Sequence, residues 1–347
     1  MRETAARRLR VSLVAVPEVM MGTLTGLHDV FRCFGALGWF DPALAENPPY
    51  EVEIAATEAR EMATASGLSL PSPRRLAGIG RTDIVILPSV MVAGGVWKAG
   101  RHPEIVGWLR RMHAAGSILC SACSGALLLA ETGLLDGREA TVHWSYARTF
   151  TENFPAVKLR AEAPLVIAGE RSQLVMSGAA SSWQDLALYL IARTAGPSTA
   201  RAVAKFYAFE PHSDGLAPFV VFEPRTDHSD GPVLRAQRWL EAHLAAPAPV
   251  EEMARRSGIP ERSFKRRFRN ATGLAPIEYV QRLRIERAKK SLESTPDAIE
   301  KIGWSVGYED ASSFRRLFKR LAGVTPGAYR RKFRAPGAGW IEEAEAR

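Results

Sequence analysis

The first part of the chain alternates apolar runs of strand length with segments of helical spacing. Residues 9–16 and 83–88 are continuous apolar, β-branched stretches, a pattern typical of buried strands. Between them, Leu27, Val30 and Phe31 follow the i, i+3, i+4 spacing of a helix that buries one face. The same reading predicts further strands at 50–57, 117–120 and 174–176, and helices at 24–37, 105–115, 124–132 and 182–195.

This strand–helix alternation predicts the fold class of the first domain. Parallel strands joined by helices must be covered on both faces, so residues 1–210 are expected to form an α/β, mostly parallel-sheet sandwich of the flavodoxin-like kind. Residues 211–232 are rich in Pro, Gly, Asp and His, which predicts a linker. Residues 233–335 show helical patterns with short connections and predict an all-α second domain, followed by a tail at 336–347.

The second domain contains one pattern twice. A short helix, a Gly-containing turn and a second helix follow one another, which is the order of a helix-turn-helix unit. On the second helix of the first unit, Phe264 and Phe268 are spaced i, i+4, and Phe314 and Phe318 repeat that spacing 50 positions later. Basic residues flank both pairs and are expected to point outward. A long helix predicted at 276–292 lies between the units.

The charge of the chain is concentrated in this second region. The net charge of the whole chain is +9. Residues 231–347 contain 24 Lys and Arg against 14 Asp and Glu, a net of +10, which leaves 22 basic and 23 acidic residues, a net of −1, for the rest. A neutral body with a basic helical domain indicates a polyanionic partner for that domain.

Double-stranded DNA fits this pattern. A helix in the major groove can read bases through Arg or Lys, which donate twice to guanine, and through Ser, which accepts or donates. Flanking Lys and Arg meet phosphates and make the affinity depend on salt. A small helical bundle with solvated basic faces is the alternative, and the repetition of core pair and charge favours DNA.

The residues of the second domain resemble the AraC-type DNA-binding domain. The pair Gly307-Tyr308, the pair Ser313-Phe314 and the Gly-Val-Thr-Pro-Gly-x-Tyr-Arg ending at 323–330 match the family signature. The resemblance implies two helix-turn-helix units bridged by a long helix, in a protein that reads DNA and regulates transcription. It also implies these base-reading positions: Arg262, Lys265, Arg266, Ser312, Ser313 and Arg316.

One spot in the first domain suggests chemistry. Cys123 lies where a predicted strand meets a helix, beside backbone N–H groups and the positive helix end, which lower the pKa of a thiol. The sharp turn is similar to a nucleophile elbow, in which Gly125 allows close packing. Cys120 and Cys123 also form a C-x-x-C, but Cys120 is expected to end the strand, which disfavours a redox pair.

The first domain resembles the ThiJ/PfpI, class I glutamine amidotransferase-like superfamily. The segment 123–144 carries the likeness, with Cys123 as the elbow cysteine. Enzymes of that superfamily pair the cysteine with an acid from the first strand–helix loop or with a neighbouring His. Here Ser124 follows Cys123, the expected acid is replaced around Thr23, and Ser89 replaces an expected Gly that supplies oxyanion-stabilising backbone. These departures from the family pattern predict a non-catalytic domain.

Several functions remain open for the first domain. We expect it to sense a small-molecule effector or to form a homodimer. A cysteine-dependent hydrolase or hydratase with an appended DNA-binding domain is the alternative, with Cys123 as nucleophile, and non-specific nucleic-acid binding is a third class. The expected pocket residues are Thr23, Ser89, Cys123, Ser124, His143 and Trp144.

Other classes are disfavoured by absent patterns. No apolar stretch is long enough to span a membrane, and three cysteines fit a reducing cytoplasm better than a disulfide framework. The sequence has no phosphate-binding loop, no dinucleotide fingerprint, and no second Cys pair or spaced His pair that could complete a metal site with Cys120 and Cys123, so we predict no cofactor and no metal. The combined prediction is a cytoplasmic, sequence-specific transcription regulator.

Overall fold

The computed structural model describes residues 7–71 and 73–334, and the chain divides into two compact units, Met1–Leu216 and Ala217–Arg347. The predicted tail at 336–347 lies outside the described residues. Among the helices of the described ranges, none is long and apolar enough to cross a membrane.

The first unit contains the alternating elements that the hydrophobic pattern predicts. Its strands are β1 Leu9–Val14, β2 Tyr50–Ala56, β3 Met62–Ala63, β4 Ser69–Leu70, β5 Arg74–Arg75, β6 Ile84–Leu87, β7 Ile118–Ala122, β8 Glu139–Ala140, β9 Lys158–Leu159, β10 Leu165–Ala168 and β11 Leu174–Ser177. Its helices are α1 Met21–Arg32, α2 Pro42–Glu46, α3 Pro103–Ala114, α4 Gly125–Ala130, α5 Ala147–Asn153, α6 Trp183–Ala195 and α7 Pro197–Tyr207. The helix predicted at 24–37 ends earlier, because Cys33–Leu37, which includes the poor helix former Gly35, is a 3-10 turn.

A seven-stranded sheet forms the centre of this unit, in the order β10-β11-β7-β6-β1-β2-β5. All neighbours are parallel except β10 and β11, which are antiparallel. Every residue of β6 and of β11 is buried, as expected of strands covered on both faces. The carboxyl ends of β6, β7 and β11 meet at one edge, where Leu87 pairs with Ser121 and Ser177 with Ala122.

The second unit contains helices and no strand among its described residues, and residues 220–230 before its first α-helix are irregular. Its helices are α8 Gly231–Ala242, α9 Pro249–Ser257, α10 Glu261–Thr272, α11 Pro276–Ser294, α12 Ile299–Ser305, α13 Ala311–Ala322 and α14 Pro326–Phe333. Two separate hydrophobic cores form, one around Phe264 and Phe268 and the other around Phe314 and Phe318. Residues of α11 enter both cores, so this helix joins the two helix-turn-helix units.

The segment predicted as a linker is packed rather than free along much of its length. In the first unit, the backbone N–H of His212 donates to Asp185 on α6 at 2.9 Å. In the second unit, the carbonyl of Val220 accepts from Lys289 on α11 at 2.7 Å, and the Phe222 ring meets Tyr279 edge-on. The division between the units therefore falls inside 211–232, after Leu216.

Candidate nucleic-acid interface and cysteine elbow

Helix α10 presents the exposed basic face predicted for a recognition helix. Phe264 and Phe268 are fully buried with ring centroids 5.5 Å apart, which fixes the rotation of the helix against its core. Arg262, Lys265 and Arg266 lie off this stripe and are exposed. Three cations on one open helix face can donate to phosphates and to base edges.

One basic residue of α10 has a structural partner instead. Arg267 donates to both carboxylate oxygens of Asp230 at 2.8 and 3.0 Å, a bidentate pair that ties α10 to the start of α8. Hydrogen bonding from Arg267 holds the pKa of Asp230 below its usual range. Lys265 lies 2.5 Å from Glu261, but both side chains are about half exposed, and such surface pairs contribute little.

Helix α13 presents a polar face whose groups are hydrogen-bonded to one another. Asp310 caps the helix by accepting from the backbone N–H groups of Ser312 at 3.1 Å and Ser313 at 2.8 Å. Hydrogen bonds from Ser313 lower the pKa of Asp310, so the cap stays ionised. The exposed Arg316 donates to the Ser313 hydroxyl at 3.0 Å. The three predicted base-reading positions of α13 therefore lie together at its N-terminal end.

The repeat extends further than the phenylalanine pairs. Phe268 meets Tyr279 at 5.1 Å and 85°, and Phe318 meets Tyr329 at 5.5 Å and 79°. Both tyrosines are almost fully buried and lie 50 positions apart, the same offset as the phenylalanines. Tyr329 enters the sequence-based prediction only as part of the family signature, and its match with Tyr279 was missed, although the offset of 50 was available as a signal. Because each core contains the same arrangement of two phenylalanines and a tyrosine, α10 and α13 pack on their own cores through the same helix face.

The turn after β7 has the geometry of a nucleophile elbow. Cys123 has a φ of +55°, and its backbone N–H donates to Ser177 at the end of β11 at 2.8 Å. A Cβ at Gly125 would lie 2.4 Å from the carbonyl oxygen of Leu87 and 2.6 Å from that of Pro88. Only glycine permits this close approach of α4 to the end of β6, as the sequence predicts.

Three hydroxyl groups around the elbow have hydrogen-bond partners inside the buried site. Thr23 donates to the Ser89 hydroxyl at 3.1 Å, and Ser124 donates to the Val90 carbonyl at 2.6 Å and accepts from its N–H at 2.8 Å. Burial raises the pKa of the Cys123 thiol, although hydrogen bonds with Ser89 and Ser124 oppose that rise. The direction of this shift is opposite to the lowered pKa that activates a nucleophilic cysteine.

The other two expected pocket residues form their own cluster. His143 lies 2.8 Å from the Ser145 hydroxyl, and its ring is 5.3 Å from Trp144 and 6.1 Å from Tyr146. Burial lowers the pKa of His143. Hydrogen bonds thus join Thr23, Ser89, Cys123 and Ser124, while the polar contacts of His143 lie within its own segment.

The remaining cysteines are inaccessible. Cys120 is fully buried inside β7, which continues to Ala122, so the expectation that Cys120 ends the strand is wrong. Pairing with both β6 and β11 extends the strand beyond that residue. Burial raises the pKa of Cys120, and it raises that of Cys33 to about 11. All three thiols are free and buried.

Comparison with known proteins assigns both units. The family described as a helix-turn-helix domain matches residues 253–332, and the DJ-1/PfpI family matches residues 42–192. The HTH-type transcriptional regulator GlxA of Rhizobium meliloti is 30% identical over 225 residues, which cover 65% of this chain and 68% of that protein. The chain belongs to the AraC-type transcriptional regulators that carry a DJ-1/PfpI domain.

Other similar proteins carry related names. The regulator CdhR of Pseudomonas aeruginosa is 26% identical over 288 residues, 80% of each chain. A solved AraC family transcriptional regulator from Pseudomonas putida is 18% identical, with a TM-score of 0.47, over 57% of this chain and 99% of that one. This AraC-type regulator is a DNA-binding transcription regulator, as its sequence predicts.

The regulator contains one polar chain that sequence reasoning missed. The Ser181 hydroxyl lies 3.3 Å from His212 Nε2, and His212 Nδ1 lies 2.6 Å from Asp185. His212 was placed in the linker, 27 residues beyond Asp185, so no local pattern signalled the contact. The three groups follow one another in the order Ser181 hydroxyl, His212 imidazole and Asp185 carboxylate. Because Asp185 lies on α6, these contacts hold His212 against that helix.

Metal ligands do not cluster in the part of the chain that the structure describes. Within 7–71 and 73–334, no three His, Cys, Asp or Glu side chains are placed to hold one ion.

Proposed function

We propose that this AraC-type regulator reads two successive major-groove segments of double-stranded DNA through α10 and α13. The base-reading residues are Arg262, Lys265, Arg266, Ser312, Ser313 and Arg316. The observation that carries this proposal is the pair of matching aromatic cores, which present two helices with exposed, hydrogen-bonding faces. Arg262, Lys265 and Arg266 supply donors for guanine and phosphates, and Ser312 and Ser313 serve either base edge.

The two helices differ in how they bind. At its proposed base-reading positions α10 carries three exposed cations, which contribute salt-dependent affinity. The α13 face holds Arg316 against Ser313, which orders the guanidinium before DNA arrives. Ordering a side chain in advance lowers the entropic cost of binding, so α13 gains discrimination from few groups.

We propose that the first unit senses a small molecule, without catalysis by Cys123. Thr23, Ser89 and Ser124 place hydroxyls at the carboxyl edge of the sheet, where ligands of open α/β folds bind. The raised pKa of Cys123 supports a non-catalytic role. Occupancy of this edge, with His143 and Trp144 as further walls, shifts an existing equilibrium between conformations of the regulator.

Selection of DNA by the intact protein tests the main proposal. The full chain is incubated with a random-sequence duplex library and excess competitor at physiological salt, and bound DNA is sequenced. We expect enrichment of a site with two separated conserved parts. Enrichment of no sequence, with binding that depends only on salt, contradicts the proposal and leaves non-specific nucleic-acid binding.

Self-association is a separate part of the proposal. We expect the first unit to form a homodimer, which would place two copies of the second unit on DNA. Sedimentation of the full chain at micromolar concentration should show a species of two chains. A single-chain species throughout that range contradicts the homodimer and leaves the reading of DNA by α10 and α13 untouched.

A second candidate function follows from the Ser181 chain. The order Ser181, His212, Asp185 is that of acyl-transfer triads, in which the imidazole takes the hydroxyl proton. A serine hydrolase activity then replaces the cysteine-dependent alternative. A fluorophosphonate should label Ser181 in the full chain, and the His212→Ala variant should abolish labelling. Absence of label on the wild-type serine eliminates this candidate.

A further inference from the structure

Helix α11 passes from one hydrophobic core of the second unit to the other. Near its start, Tyr279 and Val280 belong to the core of the first helix-turn-helix unit. Further along, Ile285 and Leu292 belong to the core of the second. Arg284 lies at the crossing point between these two sets and is 8% exposed.

The Arg284 guanidinium joins backbone from both halves of the unit. Its Nε donates to the Leu244 carbonyl at 2.9 Å, and its Nη2 donates to the Ala246 carbonyl at 2.7 Å, both in the loop between α8 and α9. Its Nη1 donates to the Gly307 carbonyl at 2.9 Å, in the turn between α12 and α13. The guanidinium also lies 5.3 Å from the Tyr308 ring.

The chemistry of arginine suits this position. A buried cation is unfavourable unless its donors are satisfied, and here three N–H groups meet three carbonyls in a planar fork. Glycine at position 307 permits this close approach, because a Cβ there would lie 2.6 Å from Arg284 Nη2 and 2.9 Å from Ala245 Cα. The φ of Gly307 is +94°, a conformation that residues with a side chain rarely adopt. Backbone and side chain are therefore fitted closely on both sides of the guanidinium.

We infer that Arg284 is a positioning residue that fixes the separation and rotation of α10 relative to α13. This inference rests on the proposed function, because it matters only where both helices engage one DNA site. Two linked binding modules gain affinity when their geometry matches the two sites, and they lose that gain when it does not. Arg284 sets that match without touching DNA.

The test compares two conservative variants of α11. Arg284→Lys retains the charge but cannot reach three carbonyls at once, whereas Arg287→Lys alters an exposed arginine of the same helix. The probes are the duplex selected by the wild-type full chain and the same duplex with one base pair inserted between its two parts. The insertion moves the parts by about 3.4 Å and rotates them by about 34–36°.

We expect the inserted base pair to weaken wild-type and Arg287→Lys binding by about tenfold or more, since both retain rigid coupling. Arg284→Lys should bind the original duplex about tenfold more weakly, and the insertion should change its affinity by less than about twofold. Loss of stability alone would not make binding indifferent to spacing. Circular dichroism confirms that each variant is folded.

A second variant approaches the same contact from its other side. Gly307→Ala places a Cβ against Arg284 and should reproduce the loss of spacing dependence. The inference is overturned if folded Arg284→Lys or Gly307→Ala discriminates between the two spacings as sharply as the wild type does. Failure of the wild type to select any two-part site contradicts the proposed function instead, so the two failures are distinguishable.

Discussion

The cysteine elbow and the recognition helices both concentrate polar side chains, but they use them differently. At the elbow, Thr23, Ser89 and Ser124 hydrogen-bond within the buried site, and burial raises the pKa of the Cys123 thiol. On α10 and α13, most predicted DNA-reading side chains are exposed. Polar groups that are satisfied internally stabilise a fold, whereas exposed donors remain available to a partner. The contrast supports the second unit as the one that contacts DNA.

Removal of an aromatic core residue should have the largest effect and should stay within one unit. Phe318→Ala and Phe268→Ala each open a cavity in a fully buried core, which costs about 3–5 kcal/mol of unfolding free energy. Hydrogen exchange followed by mass spectrometry should show faster exchange in peptides of the second unit only. Phe206→Ala, at a ring that is 46% exposed in the first unit, is the control and should cost less than about 1 kcal/mol.

If hydrogen exchange became faster to the same extent in both units, the expectation that each unit has its own independently unfolding core would be wrong.

Overpacking the elbow should have a smaller effect, confined to the first unit. Gly125→Ala drives a Cβ into the backbone carbonyls of Leu87 and Pro88, which cannot rotate away, so we expect a loss of about 1–3 kcal/mol. Gly107→Ala in α3 is the matched control, because its Cβ would be 3.9 Å from the nearest atom, at the end of the Arg111 side chain. That variant should stabilise by up to about 1 kcal/mol through helix propensity.

Chemical unfolding of the two glycine variants measures both changes. A Gly125→Ala protein as stable as the wild type would show that the approach of α4 to β6 is looser than the distances indicate.

These two predictions also show what the sequence could give. Phe264 and Phe268, like Phe314 and Phe318, were predictable because helical spacing is local information. Gly125 was predictable from the strand–helix turn. The partners of Arg284 lie 40, 38 and 23 residues away in sequence, so no periodicity could indicate them. The contact between His212 and Asp185 could not be predicted for the same reason, because contacts between residues far apart in sequence depend on tertiary packing.

Acid should weaken the second unit through Asp230. Because Arg267 depresses the pKa of this carboxyl, its stabilisation is complete above the ordinary Asp pKa and is lost as pH falls through the lowered value. Asp230→Asn should cost about 1 kcal/mol or less at pH 7 and nothing at the acid end of that window. Unfolding free energies across the acid range measure it, and a constant difference would contradict the assignment.

The last prediction concerns the rate at which the Cys123 thiol is alkylated, for which we expect the smallest effect. Because burial raises the pKa of the thiol, alkylation of the folded chain at neutral pH should be slow and should accelerate only above the ordinary thiol pKa of about 8.5. Mass spectrometry locates the label, and the same chain in denaturant is the control in which all three thiols react. Rapid, pH-independent alkylation near neutrality would indicate a thiolate and restore the enzymatic alternative.

The most direct test of the two-helix account is a base-by-base affinity profile of the selected DNA site. The wild type should show two clusters of sensitive base pairs. Arg266→Ala should flatten one cluster and Arg316→Ala the other, each with a loss of about 1–3 kcal/mol at its own position. Uniform weakening at every base pair by both variants would show that these arginines contact only phosphates, and it would contradict the claim that α10 and α13 read sequence.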